Sequence, residues 1–297
     1  MGSVISRTIL MGSLFLAGLL VLPQPLDAKR AKDISVPFQL HNGLIILQAE
    51  IDGQPGNFIL DTGADAIIIN GMPQAASELL ETLNGEVKAA TTQLNHLKVG
   101  AFIRYDVAAQ VTSLSQLEHQ LGIDLYGIIG GKFFLPSVLV MDFSTGVLTI
   151  STASIKAIDT EHMDRLAFRM VNNIPIVQVE IETRSYQFAL DSGASIHLID
   201  PKFVQQFHNF RPLGSQSKVM TLDRSGASEK RYILDHFALG EVSFMAQQFL
   251  SYSLETVNES LDQPLAGIIS LSQLNCHRVV FDLKNQMLYL QAKSFRD

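Results

Sequence analysis

Apolar residues along this chain come in short runs, alternating or continuous, rich in Ile, Val, Leu and Phe and cut by Gly, Asn, Asp and Ser. That rhythm predicts β-strands joined by turns rather than long amphipathic helices. Strands are expected at Leu44–Ile51 and Asn57–Leu60, joined by the turn Asp52-Gly53-Gln54-Pro55-Gly56, and again at Ala66–Ile69. The same three recur at Ile176–Ile181, Tyr186–Leu190 and Ile196–Ile199. A hairpin is written by Val138–Phe143, the turn Ser144-Thr145-Gly146 and Val147–Ile150. Its copy is Val279–Leu283, Lys284-Asn285-Gln286 and Met287–Leu290. Helix signals are few: Pro73 opens Gln74–Leu83 with Gly85 beyond it, and Asp200-Pro201 caps and starts Lys202–Phe207. Ser151 to Arg165 is polar and patternless, as a linker would be.

These recurrences belong to one duplication. Leu44–Ala64 aligns with Ile174–Ala194 at an offset of 130 (191 − 61), sharing Gln48/Gln178, Glu50/Glu180, Ile51/Ile181, Phe58/Phe188 and Leu60/Leu190. Downstream, His96-Leu97-Lys98-Val99-Gly100 matches His236-Phe237-Ala238-Leu239-Gly240 at an offset of 140 (236 − 96). Gly127-Ile128-Ile129-Gly130 matches Gly267-Ile268-Ile269-Ser270, and Val140-Met141-Asp142-Phe143 matches Val280-Phe281-Asp282-Leu283, at that same offset. The second half therefore carries ten extra residues (140 − 130) between Asp191 and His236. They are expected where Lys218–Leu222 and Lys230–Leu234 flank Asp223-Arg224-Ser225-Gly226, as a projecting hairpin or as a surface loop of no consequence. The first half offers only Glu86–Leu97 there, which reads as too short for a hairpin of equal reach.

Composition narrows the class. A chain of 297 residues, 47% hydrophobic and 17% charged, divides into two halves of ordinary domain size. The net charge of −7, without any Lys/Arg run, lacks the footprint that neutralises phosphates, so nucleic acid is not an expected partner. Near the N-terminus Arg7 precedes the apolar run Ile9–Leu22, then Pro23 and Leu26-Asp27-Ala28. This is the layout of a signal peptide over residues 1–28, leaving halves at 29–155 and 156–297. The alternative is an uncleaved inner-membrane anchor at residues 9–22, and only then is a membrane a partner. The one cysteine, Cys276, cannot form an intramolecular disulfide and reads as a buried small apolar residue. Export without a disulfide framework points to a bacterial periplasm. Neither a Cys cluster nor His at metal-helix spacing is present, so no metal is expected.

The chemistry lies in a repeated tetrapeptide, Asp61-Thr62-Gly63-Ala64 and Asp191-Ser192-Gly193-Ala194. Singly, each is an ordinary turn sequence. Duplicated at matching places, they supply two carboxylates that can face each other. Two carboxylates about 3 Å apart cannot both ionise cheaply, so they share a proton and their titrations separate. One then takes a proton from a bridging water while the other gives one to a carbonyl oxygen. Gly63 and Gly193 let backbone approach the carboxylates closely. Thr62 and Ser192 carry hydroxyls able to bond across the two loops. Asp142 and Asp282 also correspond, but each lies beside a hairpin turn and reads as a turn cap. Ser192 lacks the G-x-S-x-G setting of a nucleophile, and His197 reads as a packing or locally bonded residue.

LDTGADAIII and LDSGASIHLI, each followed by a Gly-Ile-Ile segment, resemble the pepsin and retroviral-protease superfamily of aspartic peptidases, from about Leu44 to Leu290. The Ala64-Asp65 continuation and the compact halves are closer to the retroviral style. The resemblance implies a mainly β fold of two pseudo-symmetric β-barrel lobes with a cleft between them, and a bacterial, single-chain, two-lobed member. In each lobe the Gly-Ile-Ile strand would cross beneath the Asp. It implies an aspartic endopeptidase with Asp61 and Asp191 as the dyad, supported by residues 62–64 and 192–194. The hairpin at Ser225-Gly226 is the candidate flap over the substrate. The expected partner is a polypeptide, with no cofactor, and dimerisation is not needed because both half-sites lie in one chain. The rival from another class is an exported peptide-binding protein that kept fold and cleft but lost turnover. In this family the hydrophobic-hydrophobic-Gly element ends in glycine, which Gly130 satisfies and Ser270 does not. Ala64 and Ala194 stand where a hydroxyl residue often follows the glycine, so the dyad is expected to titrate higher than pepsin's.

Overall fold

A computed structural model describes residues 33–73, 78–82, 85–153, 155–171, 174–220, 225–259, 261–274 and 276–292. The predicted leader, and with it residues 9–22, lies outside these. Among the described residues no helix is long and apolar enough to cross a membrane.

The fold is mainly β and builds two closed six-stranded barrels. In the first, Leu44–Ile51 pairs with Gln54–Asp61, which runs parallel to Gly127–Gly130. Gly127–Gly130 pairs antiparallel with Ile67–Asn70, followed by Phe102–Thr112 and Gly85–Val99. The ring closes where Glu50 and Ile51 meet Lys98 and Leu97. In the second barrel the order is Ile174–Ile181, Arg184–Asp191, Gly267–Ser270, His197–Ile199, Val242–Ser251 and Ser225–Leu239, closing at Glu180 against Ala238. Alternation fixes which side faces in: Phe58, Leu60, Phe188 and Leu190 are fully buried at corresponding places, leading each strand rigidly to its Asp.

The two C-terminal hairpins of the duplication pair with each other. Val138–Asp142 lies antiparallel to Cys276–Asp282, with Val140 opposite Val280, its own counterpart in the other half. Flanking residues pair with each other's counterparts, Met141 with Val279 and Leu139 with Phe281. The axis relating the halves therefore passes between Val140 and Val280. The upper face of this shared sheet, including Leu139, Met141, Val279, Phe281 and Leu290, joins the cores of both barrels into one apolar cluster. Its underside, Val138, Val140 and Val280, is covered by Ile155, Ile158 and Met163. Those three come from the stretch expected to be a patternless linker; its few apolar residues seal a sheet that one layer alone would leave wet.

Two expectations are corrected. Instead of continuing a helix, Glu78–Thr82 is a strand paired with Gly85–Ala89, while residues 74–77 and 83–84 lie outside the described residues. Pairing along a neighbouring strand outweighs intrinsic propensity here, and Gly85 sits opposite Thr82 rather than ending a helix. The first half thus has a hairpin after all: Gly85–Val99 is as long as its counterpart Ser225–Leu239, both of 15 residues. The ten extra residues fall before Ser225, and six of them are accounted for by the preceding strand, Phe210–Met220 with 11 residues against 5 for Glu78–Thr82 in the first half (11 − 5). The second helix is present but short, Pro201–Val204, with the Asp200 side chain accepting from Lys202 N at 2.8 Å. It stops before Phe207, which packs on Tyr186 and Phe210.

Asp142 accepts from the N–H groups of Ser144 and Thr145, and Asp282 accepts from Asn285 N and Nδ2. Both hold hairpin turns, and Asp282 is fully buried. Asp282→Ala is expected to lower stability by about 1 kcal/mol, because the turn loses the two hydrogen bonds from Asn285, an exposed residue whose donors can turn to water instead. Denaturant unfolding measures it, and an unchanged midpoint contradicts the assignment.

Candidate active site

Asp61 and Asp191 are the last residues of corresponding strands, each beside the end of its crossing strand: Asp61 pairs with Gly130 and Asp191 with Ser270. The two loops face each other across the axis. Thr62 N donates to Ser192 Oγ at 2.9 Å, and Ser192 N donates to Thr62 Oγ1 at 3.0 Å. Ser192 Oγ also donates to Leu60 O at 2.8 Å. Thr62 and Ser192 are buried, while the carboxyl residues beside them are only partly so. The lock is interior and the acids reach the surface.

The glycines act through closeness. A Cβ on Gly63 would stand 2.7 Å from Asp191 Cγ, and one on Gly193 would stand 2.5 Å from Asp61 Oδ2. Each loop backbone thus lies against the other loop's carboxyl, a space only glycine leaves open. Asp61 Oδ1 accepts from Gly63 N at 2.9 Å and Ala64 N at 3.0 Å; Asp191 Oδ1 accepts from Gly193 N at 2.6 Å.

Burial, and then the facing Asp191, push the Asp61 carboxyl well above the ordinary carboxylate range, against the pull of the Gly63 and Ala64 N–H groups. Burial also raises Asp191, outweighing its hydrogen bond with Asp61 and the Gly193, Gly63 and Ala194 N–H groups. Two carboxyls set against each other cannot both ionise cheaply, so the pair is expected to hold one proton in common.

The family model "Aspartyl protease" matches residues 47–133 and, a second time, residues 177–272, more than half of the chain. This chain belongs to the aspartyl protease family. Among solved structures, this chain is similar to the aspartic proteinase from Irpex lacteus, with a TM-score of 0.58 and 12% identity over 89% of this chain and 98% of that one. That likeness speaks for the fold. No curated protein matches.

Of the candidate flap, only part of the backbone is described. Ser225 opens a long strand, with Gly226 next to it, but residues 221–224 and the side chains around them lie outside the described residues. Among the described residues no group of three or more His, Cys, Asp or Glu could hold a metal ion. The sequence reading missed the environment of Ser270. Its Oγ donates to Ala194 O at 2.6 Å, and its N–H donates to His197 Nδ1 at 3.1 Å. The signal was present: at the offset of 130, His197 corresponds to Ile67, a second departure beside the first.

A carboxyl raised in the folded state contributes stability that is present below about pH 4, its unfolded value, and lost as pH climbs through the folded value. At neutral pH the pair is therefore a net cost. Asp61→Asn should melt at a higher temperature than the wild type at pH 7, with the gap closing as pH falls toward about 4. Calorimetry across that range checks it; a lower melting temperature for the variant at pH 7 overturns it.

Proposed function

We propose that this chain is an aspartic endopeptidase in which Asp61 and Asp191 together activate water. The observation that carries the reading is the facing pair of half-sites, each loop lying against the other's carboxyl and both fixed by the Thr62–Ser192 exchange. The ionised member takes a proton from the bridging water, whose oxygen attacks the amide carbon. The protonated member gives its proton to the carbonyl oxygen, forming a neutral gem-diol. Collapse moves a proton to the departing nitrogen and breaks the C–N bond, with no covalent enzyme intermediate. The N–H groups of Gly63, Ala64 and Gly193 hold the carboxylate oxygens in place, so little reorganisation is needed as charge shifts.

Both half-sites come from one chain, which supports action as a monomer on polypeptides. The apolar run at 9–22 followed by Ala28 supports export, with the periplasm as the place of action. An exported peptide-binding protein without turnover is the outcome if hydrolysis is absent.

Hydrolysis of a peptide library by the wild type should fall at least ~10²-fold in Asp61→Asn and in Asp191→Asn, and statine-type inhibitors should block it. Binding of those inhibitors without any wild-type cleavage would favour the silent binder. The rate should follow a bell. It falls on the acid side when both carboxyls hold protons and on the alkaline side when the shared proton leaves. Because both groups are raised, the maximum is expected above the midpoint, about pH 3, of pepsin's dyad titrations. A maximum below about pH 3 contradicts this.

A further inference from the structure

The two lobes anchor their Asp loops differently. In the first, Gly130 N donates to Ala66 O at 3.1 Å and Gly131 N donates to Ala64 O at 3.1 Å. A Cβ on Gly130 would stand 2.6 Å from both of those carbonyl oxygens, so only glycine fits that arrangement. In the second lobe the corresponding residue, Ser270, carries a Cβ and still pairs with Asp191 in the same register as Gly130 with Asp61. Its bonds have been rerouted. The carbonyl of Ala194, counterpart of Ala64, accepts from the serine hydroxyl, and the serine N–H finds the imidazole of His197 in place of a backbone carbonyl.

We infer that Ser270 and His197 are a coupled pair of positioning residues for Asp191, a side-chain anchorage that does in the second lobe what glycine and backbone do in the first. The inference rests on Asp191 belonging to a working dyad. Neither substitution suffices alone. Serine without the imidazole leaves its buried N–H unsatisfied; the imidazole beside a glycine leaves Ala194 O without the hydroxyl donor. Ala194 in turn presents its N–H to the Asp191 carboxylate, so its placement is felt at the acid.

The ring is placed for this task. His197 is fully buried, stacked on Phe249 with centroids 4.9 Å apart and set edge-on to Phe237 at 5.9 Å. The Gln247 side chain and the Gln273 backbone lie beside it, and none of these four groups is charged; Asp191 is reached only through the strand pairing of Ser270. Accepting at Nδ1 requires a neutral ring protonated at Nε2, and burial keeps it neutral by lowering its pKa to about 4.

The test combines NMR with kinetics on the full chain. In the wild type, a scalar coupling across the hydrogen bond between Ser270 N and His197 Nδ1 is expected at neutral pH. His197→Leu, which removes the acceptor, should lower kcat about tenfold with KM within about twofold, and should move the titration of the Asp191 carboxyl seen by ¹³C NMR. His197→Asn, which keeps an acceptor near the Nδ1 position, should recover most of both. Adding Ser270→Gly to His197→Leu, which restores the first-lobe pattern, should also recover activity relative to His197→Leu alone. Absence of the coupling in the wild type overturns the inference, as does a folded His197→Leu with wild-type kcat and an unmoved Asp191 titration. Should His197→Leu fail to fold, the wild-type coupling and the His197→Asn titration still decide. If the wild type cleaves no peptide, the endopeptidase reading falls, while the coupling and the carboxyl titrations still judge the anchorage.

Discussion

Two acidic groups sharing one proton would drift apart unless something held them, and here the holding is done by two hydroxyls exchanged across an axis. Thr62 and Ser192 each accept the other's backbone N–H, so neither loop can move without breaking a bond of both. Because the exchange is buried, water cannot stand in for a lost partner. The crossing strands, the glycines pressed on the facing carboxyls and the apolar residues behind each Asp all serve that fixed separation. Rigidity at this point lets a costly pair of acids persist in a folded protein.

The same axis is written a second time at the base of the molecule. Val140 opposite Val280 places a residue against its own counterpart, as Thr62 and Ser192 do near the top. Two such self-matched contacts define one direction, and the apolar cluster between them runs through both barrels without a break. Barrel closure and lobe association are thus parts of one packing problem. The short 3₁₀ turn at Ile155–Ala157 and its neighbours complete it from below.

Much of this was legible in the chain because duplication converts weak local signals into a strong one. Leu44–Ile51 was readable to the residue, and the strands leading to Asp61 and Asp191 stood out by their paired Phe and Leu. Asp61, Asp191 and their neighbours were named from the repeat, and the structure brings them together. What stayed hidden was non-local. Glu78–Thr82 has helix formers and a helix-like start, and only its partner strand makes it extended. The role of Ile155, Ile158 and Met163 cannot be seen from within their polar stretch, since it depends on a sheet assembled from both ends of the duplication. Ser270 stood out as a deviation, but its compensation required knowing that residue 197 points its ring at residue 270's N–H.

Joining two half-sites in one polypeptide has a consequence for how such a protein can change. In a dimer of identical subunits any substitution arrives twice, so a serine ending one crossing strand would also end the other, where Ala64 O and Ala66 O leave a side chain no room. Covalent linkage removes that obligation. One half can keep the tight glycine solution while its sibling explores another, and the mismatched anchorage of residues 130 and 270 records a freedom that symmetry forbids.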